Sequence, residues 1–106
     1  MTTLAQKTYA LLKTVPKGRV TTYKALADAL GSRAYRAIGQ FMRTNPYAPQ
    51  VPCHRVVASD GTIGGFMGKT SGNNITKKIS MLAREGVQVY SNRIVNFESI
   101  VYRFNQ

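Results

Sequence analysis

The first 46 residues of the chain are divided by turn-forming residues into three short amphipathic segments, which limits the fold more than any other feature. The divisions are Pro16-Lys17-Gly18, Gly31 and Asn45-Pro46. Proline and glycine interrupt helices, whereas apolar residues recur at helical spacing between these breaks. The sequence therefore predicts three helices: one over about residues 3–14, one from a cap at Thr21 or Thr22 to Gly31, and one from a cap at Ser32 to about Thr44.

The second and third predicted helices form a candidate helix-turn-helix at about residues 22–44. The side chains of the third helix separate by face when they are placed at about 100° per residue. The apolar face comprises Ala34, Ala37, Ile38, Phe41 and Met42, and the polar face comprises Arg33, Arg36, Gln40 and Arg43. Most charged helix faces are simply solvated. In a helix-turn-helix, however, three arginines and a glutamine on one face are typical of a recognition helix that contacts DNA.

The charge balance points in the same direction. Fifteen lysines and arginines face four aspartates and glutamates, which gives a net charge of +11 over 106 residues. A domain this basic attracts polyanions, which favours nucleic acid as the partner. Anionic lipid, an acidic protein or a merely basic surface are the alternatives. The length suits one domain over residues 1–106.

Several classes of protein are excluded by composition. A single cysteine cannot form an intramolecular disulfide framework or a multi-cysteine zinc site, and a single histidine further limits metal chemistry. No apolar run approaches the roughly 18 residues that span a bilayer, and the N-terminus lacks the pattern of a secretory signal. We therefore expect a cytoplasmic domain without membrane contact.

The remainder of the chain combines loops with short regular elements. Residues 46–52 hold three prolines and predict an extended loop, and residues 60–74 form a glycine-rich loop. This is not a phosphate-binding P-loop, because Ile63 stands where a glycine must precede Gly68-Lys69-Thr70. The predicted later elements are a fourth helix from a cap at Asn73 or Asn74 to Gly86, and a wing-like hairpin of Val87–Tyr90 and Arg93–Phe97 that turns at Ser91-Asn92.

The only cysteine directly precedes the only histidine, in Pro52-Cys53-His54-Arg55-Val56. A lone cysteine among valines is usually a small buried hydrophobic residue. Here, His54 and Arg55 supply the proton-accepting and cationic neighbours that make a thiol nucleophilic. A third group has to orient the histidine, and among the four carboxylates Glu85 is the candidate, since it follows the apolar face of the fourth helix. A thiol presented to DNA could accept an alkyl group or act as a redox sensor.

The segment over residues 52–56 resembles the active-site signature of the O6-alkylguanine-DNA alkyltransferases, also called methylated-DNA–protein-cysteine methyltransferases. The resemblance covers about residues 4–87, and its further motifs follow in the family's order: Gly18-Arg19-Val20-Thr21-Thr22-Tyr23, Arg36-Ala37-Ile38-Gly39, Asn45-Pro46 and Leu82-Ala83-Arg84-Glu85-Gly86. It implies a mainly α fold with a small β-hairpin, the winged helix-turn-helix-like domain of that family. It further implies a monomer that acts on double-stranded DNA containing O6-alkylguanine, without cofactor or metal.

The resemblance also implies roles for individual residues. Cys53 would accept the alkyl group, His54 would act as a base through a water, and Glu85 would orient His54. Tyr23 would donate a proton to the departing guanine, and Arg36 would replace the flipped nucleotide in the base stack. The other assignments are Asn45 bracing the active-site turn, Val56 holding the base through its carbonyl, Phe66 and Met67 lining the guanine pocket, Lys78 lying near the site, and Thr22, Arg33, Gln40 and Arg43 contacting DNA.

The chain departs from the family pattern in three respects. Family members commonly carry an additional N-terminal domain, which we do not expect here. The stretch from Phe66 to Glu85 is several residues longer than usual, and Phe66 and Met67 stand where the family often has tyrosine and serine. The related alkyltransferase-like proteins are single domains that replace the cysteine, typically with tryptophan, and bind the lesion without repairing it.

The alternatives to a transferase are therefore a lesion sensor that recruits other repair proteins, or a basic DNA-binding regulator whose Cys53 belongs only to the core. The presence of Cys53 favours the transferase, because an unused thiol is an oxidation liability.

Overall fold

The computed structural model of the chain describes residues 3–48, 50–64 and 72–104. Its elements in chain order are α1 (Leu4–Leu12), β1 (Thr21–Thr22), α2 (Tyr23–Ala29), α3 (Tyr35–Arg43), a 3₁₀ helix (Cys53–Arg55), β2 (Val56–Val57), α4 (Asn73–Arg84), β3 (Val89–Tyr90), β4 (Arg93–Ile94) and α5 (Phe97–Ile100). The four strands form two two-stranded sheets. The predicted mainly helical fold class is confirmed.

The predicted helix-turn-helix consists of α2 and α3, and α1 packs against both. Thr22, one of the two predicted caps, begins α2: its hydroxyl accepts a hydrogen bond from the Ala25 N–H at 3.0 Å. The turn after α2 passes through Gly31 at φ +64°, a conformation that glycine adopts without strain. The buried side chains of α3 are Ile38 and Met42, which belong to its predicted apolar face.

Two predicted helix caps are wrong. The Ser32 hydroxyl accepts a hydrogen bond from the Ala34 N–H at 2.9 Å in the turn that precedes α3, and the helix begins only after Ala34. Gly72 precedes α4, so Asn73 and Asn74 lie inside that helix and neither caps it. Serine and asparagine side chains also form local turns, which is why a capping residue near a helix start does not fix the start.

The described part of residues 46–52 is a compact turn, and the prediction of an extended loop is wrong. The Val51 N–H donates to the Tyr47 carbonyl at 2.9 Å, which closes the turn. Asn45, 4% exposed, holds both ends: its Oδ1 accepts from the Tyr47 N–H at 2.9 Å and its Nδ2 donates to the Val51 carbonyl at 2.8 Å. Proline restricts φ but is compatible with turns, and here a buried asparagine supplies the bonds that stabilise one.

A short parallel pairing that the sequence does not predict joins the helix-turn-helix to the cysteine segment. β1 pairs with β2 in the register Thr21↔Val56 and Thr22↔Val57. β1 leads directly into Tyr23, the first residue of α2, and β2 directly follows the 3₁₀ helix that starts at Cys53. Two segments far apart in sequence are therefore held side by side.

The predicted wing is present, with shorter strands than expected. β3 and β4 pair antiparallel in the register Val89↔Ile94 and Tyr90↔Arg93. Ser91 and Asn92 form the turn at φ +51° and +67°, as in the hairpin turns that match the twist of the strands. Phe97, predicted as the end of the second strand, instead begins α5.

Two clusters of buried apolar side chains form the core. The first lies among α1, α2 and α3, where Leu12, Leu26 and Ile38 surround the segment that carries Cys53. The second contains Val57 and Leu82 and connects the sheets to α4. No helix within the described ranges is long and apolar enough to cross a membrane.

Candidate active site

Cys53 lies at the start of the 3₁₀ helix and is 4% exposed. Its N–H donates to the Val51 carbonyl at 2.8 Å, and the same carbonyl accepts the side-chain N–H of Asn45. Asn45 therefore fixes the backbone immediately before the thiol, in agreement with the bracing role that the resemblance implies. Asn45 and Cys53 are separated by a proline-rich segment, so this contact depends on the compact turn between them.

His54, Arg55 and Glu85 form a hydrogen-bonded network in which the His54 side chain is buried and the Arg55 and Glu85 side chains are partly buried. The His54 Nε2 lies 2.9 Å from Glu85 Oε2. Arg55 forms a bidentate ion pair with the same carboxylate: its Nε donates to Oε1 at 2.9 Å and its Nη2 donates to Oε2 at 2.8 Å. Its Nη1 donates to the Val15 carbonyl at 2.8 Å. Arg55 thus holds Glu85 in place, and Glu85 holds the histidine.

The charges of the network follow from these contacts. Burial raises the pKa of Glu85, but the hydrogen bonds from Arg55 and His54 outweigh it and keep that pKa below its usual range. Burial lowers the pKa of His54 below 6.5, although Glu85 opposes this shift. A neutral His54 facing an ionised carboxylate carries its proton on Nε2. Its Nδ1 is then an acceptor, and it has no hydrogen-bond partner among the residues described.

Tyr23 and Lys78 are two further titratable groups on which Cys53 has an electrostatic effect. A Cβ placed on Gly64 would lie 3.8 Å from the Tyr23 ring and 4.0 Å from Lys78 Nζ, so both side chains border this glycine. Burial raises the pKa of Tyr23, and the charge of Cys53 adds to the shift. Burial lowers the pKa of Lys78 to about 7, against the opposing effect of Cys53. The three side chains therefore share one electrostatic environment.

Lys78 is fully buried on α4 and ties together two backbone segments of the site. Its Nζ donates to the Val56 carbonyl at 2.7 Å and to the Ile63 carbonyl at 2.6 Å. The Val56 carbonyl is the group that the resemblance assigns to the base's amino group. A carbonyl oxygen has two lone pairs, so it can accept from Lys78 and from a base.

The polar face of α3 presents basic side chains without compensating acids. Arg36, Gln40 and Arg43 on α3 are exposed, and so is Arg33, which precedes the helix and does not lie on its face as predicted. The four acidic side chains of the chain are engaged elsewhere: Asp28 pairs with Lys24, Asp60 bonds to Thr62, Glu85 binds His54 and Arg55, and Glu98 pairs with Arg103. The positive charge of α3 is therefore available to an external anion.

The remaining predicted site residues either make structural contacts or lie outside the described residues. Thr22 is 4% exposed and its hydroxyl caps α2, and the DNA contact expected of it stays a prediction. Phe66 and Met67 lie outside the described residues. Arg55, which the sequence predicts to bring charge to the thiol, binds the Glu85 carboxylate, and no pattern in the sequence indicates this contact. Within the described ranges no three His, Cys, Asp or Glu residues form a metal-binding group.

Fold and site together define a helix-turn-helix-like domain that carries a buried cysteine next to a histidine–carboxylate pair. The chain belongs to the 6-O-methylguanine DNA methyltransferase, DNA binding domain family, whose model matches residues 3–87.

Individual relatives agree with this assignment. The methylated-DNA–protein-cysteine methyltransferase of Rattus norvegicus is 43% identical over 83 residues, which are 77% of this chain and 38% of the relative. The chain spans about a third of the length of the curated relatives it matches.

Two solved structures are similar over different shares of their length. The O6-methylguanine-DNA methyltransferase of Pyrococcus kodakaraensis has a TM-score of 0.68 and 45% identity, covering 82% of this chain and 48% of that one. S. pombe Atl1, in complex with damaged DNA containing O6-carboxymethylguanine, has a TM-score of 0.80 and 27% identity, covering 95% of both chains. The chain thus matches a part of the former protein and nearly all of the latter.

Proposed function

We propose that this chain repairs alkylated DNA by transferring the alkyl group from guanine O6 to the sulfur of Cys53, in a single turnover. The observation that carries the proposal is the orientation of His54 next to this cysteine: Glu85 binds Nε2, and Nδ1 remains able to accept a proton. Membership of the family and the activity named for the rat relative support the same chemistry.

The proposed step is a nucleophilic displacement. The Cys53 thiol passes its proton through a water to Nδ1 of His54, and Glu85 stabilises the resulting imidazolium. The thiolate forms a bond to the alkyl carbon while the bond from carbon to O6 breaks, and its electron pair passes to guanine. Tyr23 gives guanine its proton and regains one from His54 through solvent. The protein keeps a thioether, which water does not cleave, so each molecule acts once.

DNA has to deliver the base to this buried thiol. A guanine stacked in the duplex hides its O6, and turning the nucleotide out costs a few kcal/mol. Arg36 is the side chain proposed to fill the space that the nucleotide leaves in the duplex. The proposed contacts to the DNA phosphate backbone are made by Arg33, Gln40 and Arg43. The exposed and uncompensated charge of α3 supports these assignments.

Mass spectrometry of the cysteine peptide tests the transfer. The protein is incubated with a duplex oligonucleotide that contains one O6-methylguanine, and the peptide carrying Cys53 is weighed. We expect a gain of one methyl group in the wild type and none in Cys53→Ala, because only the thiol can hold the product. An unmodified duplex is the control. An unchanged peptide mass despite binding of the lesion would exclude transfer.

A lesion sensor is the second candidate, and one observation favours it. S. pombe Atl1, whose structure holds damaged DNA, matches 95% of this chain. A sensor would bind the same oligonucleotide tightly without a change in mass, so the experiment above separates the two functions. Cys53 supports the transferase, because a sensor has no use for a thiol beside an oriented base.

Replacing Arg36 with alanine should reduce lesion preference more than general DNA affinity. We expect the ratio of affinities for O6-methylguanine duplex and unmodified duplex to fall about tenfold. The reason is that the DNA base stack loses the side chain that fills the space of the flipped nucleotide. Arg43→Ala, on the same exposed face, is the matched control: a phosphate contact should weaken both affinities equally. Equal losses for Arg36→Ala in a fluorescence anisotropy titration would reduce Arg36 to a phosphate contact.

A further inference from the structure

Residues 88–104, here called the C-terminal strap, follow the region that the family model matches. The strap contains β3, β4 and α5. Because the match to S. pombe Atl1 covers 95% of this chain, most of the strap is included in that similarity. The strap contacts the candidate site at two places.

The first place is the loop that leads to Gly64. The Ile63 N–H donates to the Asn92 carbonyl at 3.0 Å, and the Ile94 N–H donates to the Gly61 carbonyl at 2.9 Å. On its other side, the Ile63 carbonyl accepts the buried Nζ of Lys78. The wing therefore holds the backbone that Lys78 binds.

The second place is the segment that carries Tyr23. The Val20 N–H donates to the Ile100 carbonyl at 3.1 Å, and Arg19 donates from Nε to the same carbonyl and from Nη2 to the Val101 carbonyl, at 2.9 and 3.0 Å. Thr21, fully buried, donates from its hydroxyl to the Tyr102 carbonyl at 2.9 Å. The Tyr102 N–H in turn donates to the Val20 carbonyl, so five hydrogen bonds join the strap to Arg19, Val20 and Thr21.

β1 therefore lies between the strap and the cysteine segment. Thr21 bonds the strap through its side chain and pairs with Val56 through its backbone. Tyr23 follows β1 by one residue, and Cys53 lies three residues before β2. A shift of β1 against β2 would move the phenol relative to the thiol, and small misplacements of reacting groups reduce rates severalfold or more.

We infer that the strap positions Tyr23 for proton donation, with Thr21 and Arg19 as the positioning residues. This inference rests on the proposed function. It assigns a role in the reaction to a segment that lies beyond the matched region of the family. Thr21 and Arg19 donate hydrogen bonds to backbone carbonyls of the strap, and they act through the placement of β1.

Thr21→Val tests the inference, because it removes the hydroxyl while preserving the shape of the side chain. We expect the first-order rate of methyl transfer at saturating DNA to fall about fivefold, the effect of one lost hydrogen bond. Affinity for unmodified duplex stays unchanged, and Thr21→Ser, which keeps the hydroxyl, restores the rate. Hydrogen exchange of the amides of residues 20–23 should accelerate, which is a readout independent of transfer.

Thr8→Val is the matched control: Thr8 is also fully buried, and its hydroxyl donates to the Leu4 carbonyl at 2.8 Å inside α1. It should leave the transfer rate within about twofold of the wild type. In a Tyr23→Phe background, Thr21→Val should add no further loss, since the strap acts through the phenol.

The inference is overturned if Thr21→Val keeps the wild-type rate, if Thr8→Val slows transfer equally, or if the loss persists in Tyr23→Phe. A wild-type protein that transfers no methyl group contradicts the proposed function instead, so the two failures are distinguishable.

Discussion

Replacing Glu85 with glutamine is expected to slow methyl transfer to Cys53 by at least about 100-fold, the usual contribution of a positioned base. The carboxylate accepts hydrogen bonds from His54 and twice from Arg55. Glutamine places an NH₂ where one of these donors points. If that NH₂ faces His54, the imidazole accepts through Nε2 and carries its proton on Nδ1. Nδ1, which is the base in the proposed step, can then no longer accept a proton.

The pH dependence of this variant provides a second measurement. In the wild type, the pKa of His54 is lowered from its ordinary value, so the imidazole is neutral at neutral pH. The transfer rate should therefore fall only when the pH drops through this lowered pKa. In Glu85→Gln, hydroxide replaces the base, so the rate should instead rise continuously with pH. Single-turnover kinetics with O6-methylguanine duplex over a pH series measures both curves.

Glu98→Gln is the matched control for Glu85→Gln. The Glu98 side chain is 83% exposed and lies 3.8 Å from Arg103, so the same chemical change occurs at the surface. Exposed pairs contribute little to stability, and we expect wild-type transfer. A Glu85→Gln protein that transfers as fast as Glu98→Gln would refute the assignment of His54 as a base oriented by Glu85.

The elements that the sequence predicts are those whose residues carry a local signal. The apolar face of α3 recurs at helical spacing, and Ile38 and Met42 are buried as expected. Ser91 and Asn92 combine small polar side chains that tolerate positive φ, and the hairpin turns there. In such segments neighbouring residues alone favour one conformation.

The elements that the sequence does not predict depend on distant partners. β1 and β2 are two residues each, too short for a pattern, and they exist because Thr21 and Thr22 pair with Val56 and Val57. The turn after Asn45 depends likewise on a buried side chain that reaches Val51. Pairings of this kind are decided by tertiary packing, which overrides local preference.

The contacts of the candidate site likewise include some that the sequence predicts and some that it does not. The adjacency of Cys53 and His54 indicates a reactive thiol, and the choice of Glu85 among four carboxylates agrees with the observed contact. The clamp of Arg55 on Glu85 could not be deduced, because the distance in sequence of 30 residues says nothing about side-chain direction. Thr22 is buried and caps α2, a structural role that its position before the apolar stripe of the helix already indicates.

Lys78 should make the folded state more stable as the pH rises. Its pKa is about 7 in the fold, where burial opposes the charge, and its ordinary value is 10.5. Between these values the unfolded chain holds the proton that the folded chain has released. Since the unfolded state binds more protons, the free energy of unfolding increases with pH, by about 3 kcal/mol from about pH 7 to about pH 9.5.

Denaturant unfolding at a series of pH values tests this, with Lys78→Met as the variant. Methionine has a similar length and no charge, so the increase with pH should disappear. The variant should also be the less stable protein at about pH 9.5, because the Val56 and Ile63 carbonyls lose their shared donor. Lys77→Met, an exposed neighbour on α4, should keep the increase. A wild-type curve that is flat over this range, or one matched by Lys78→Met, would mean that Lys78 stays charged in the fold.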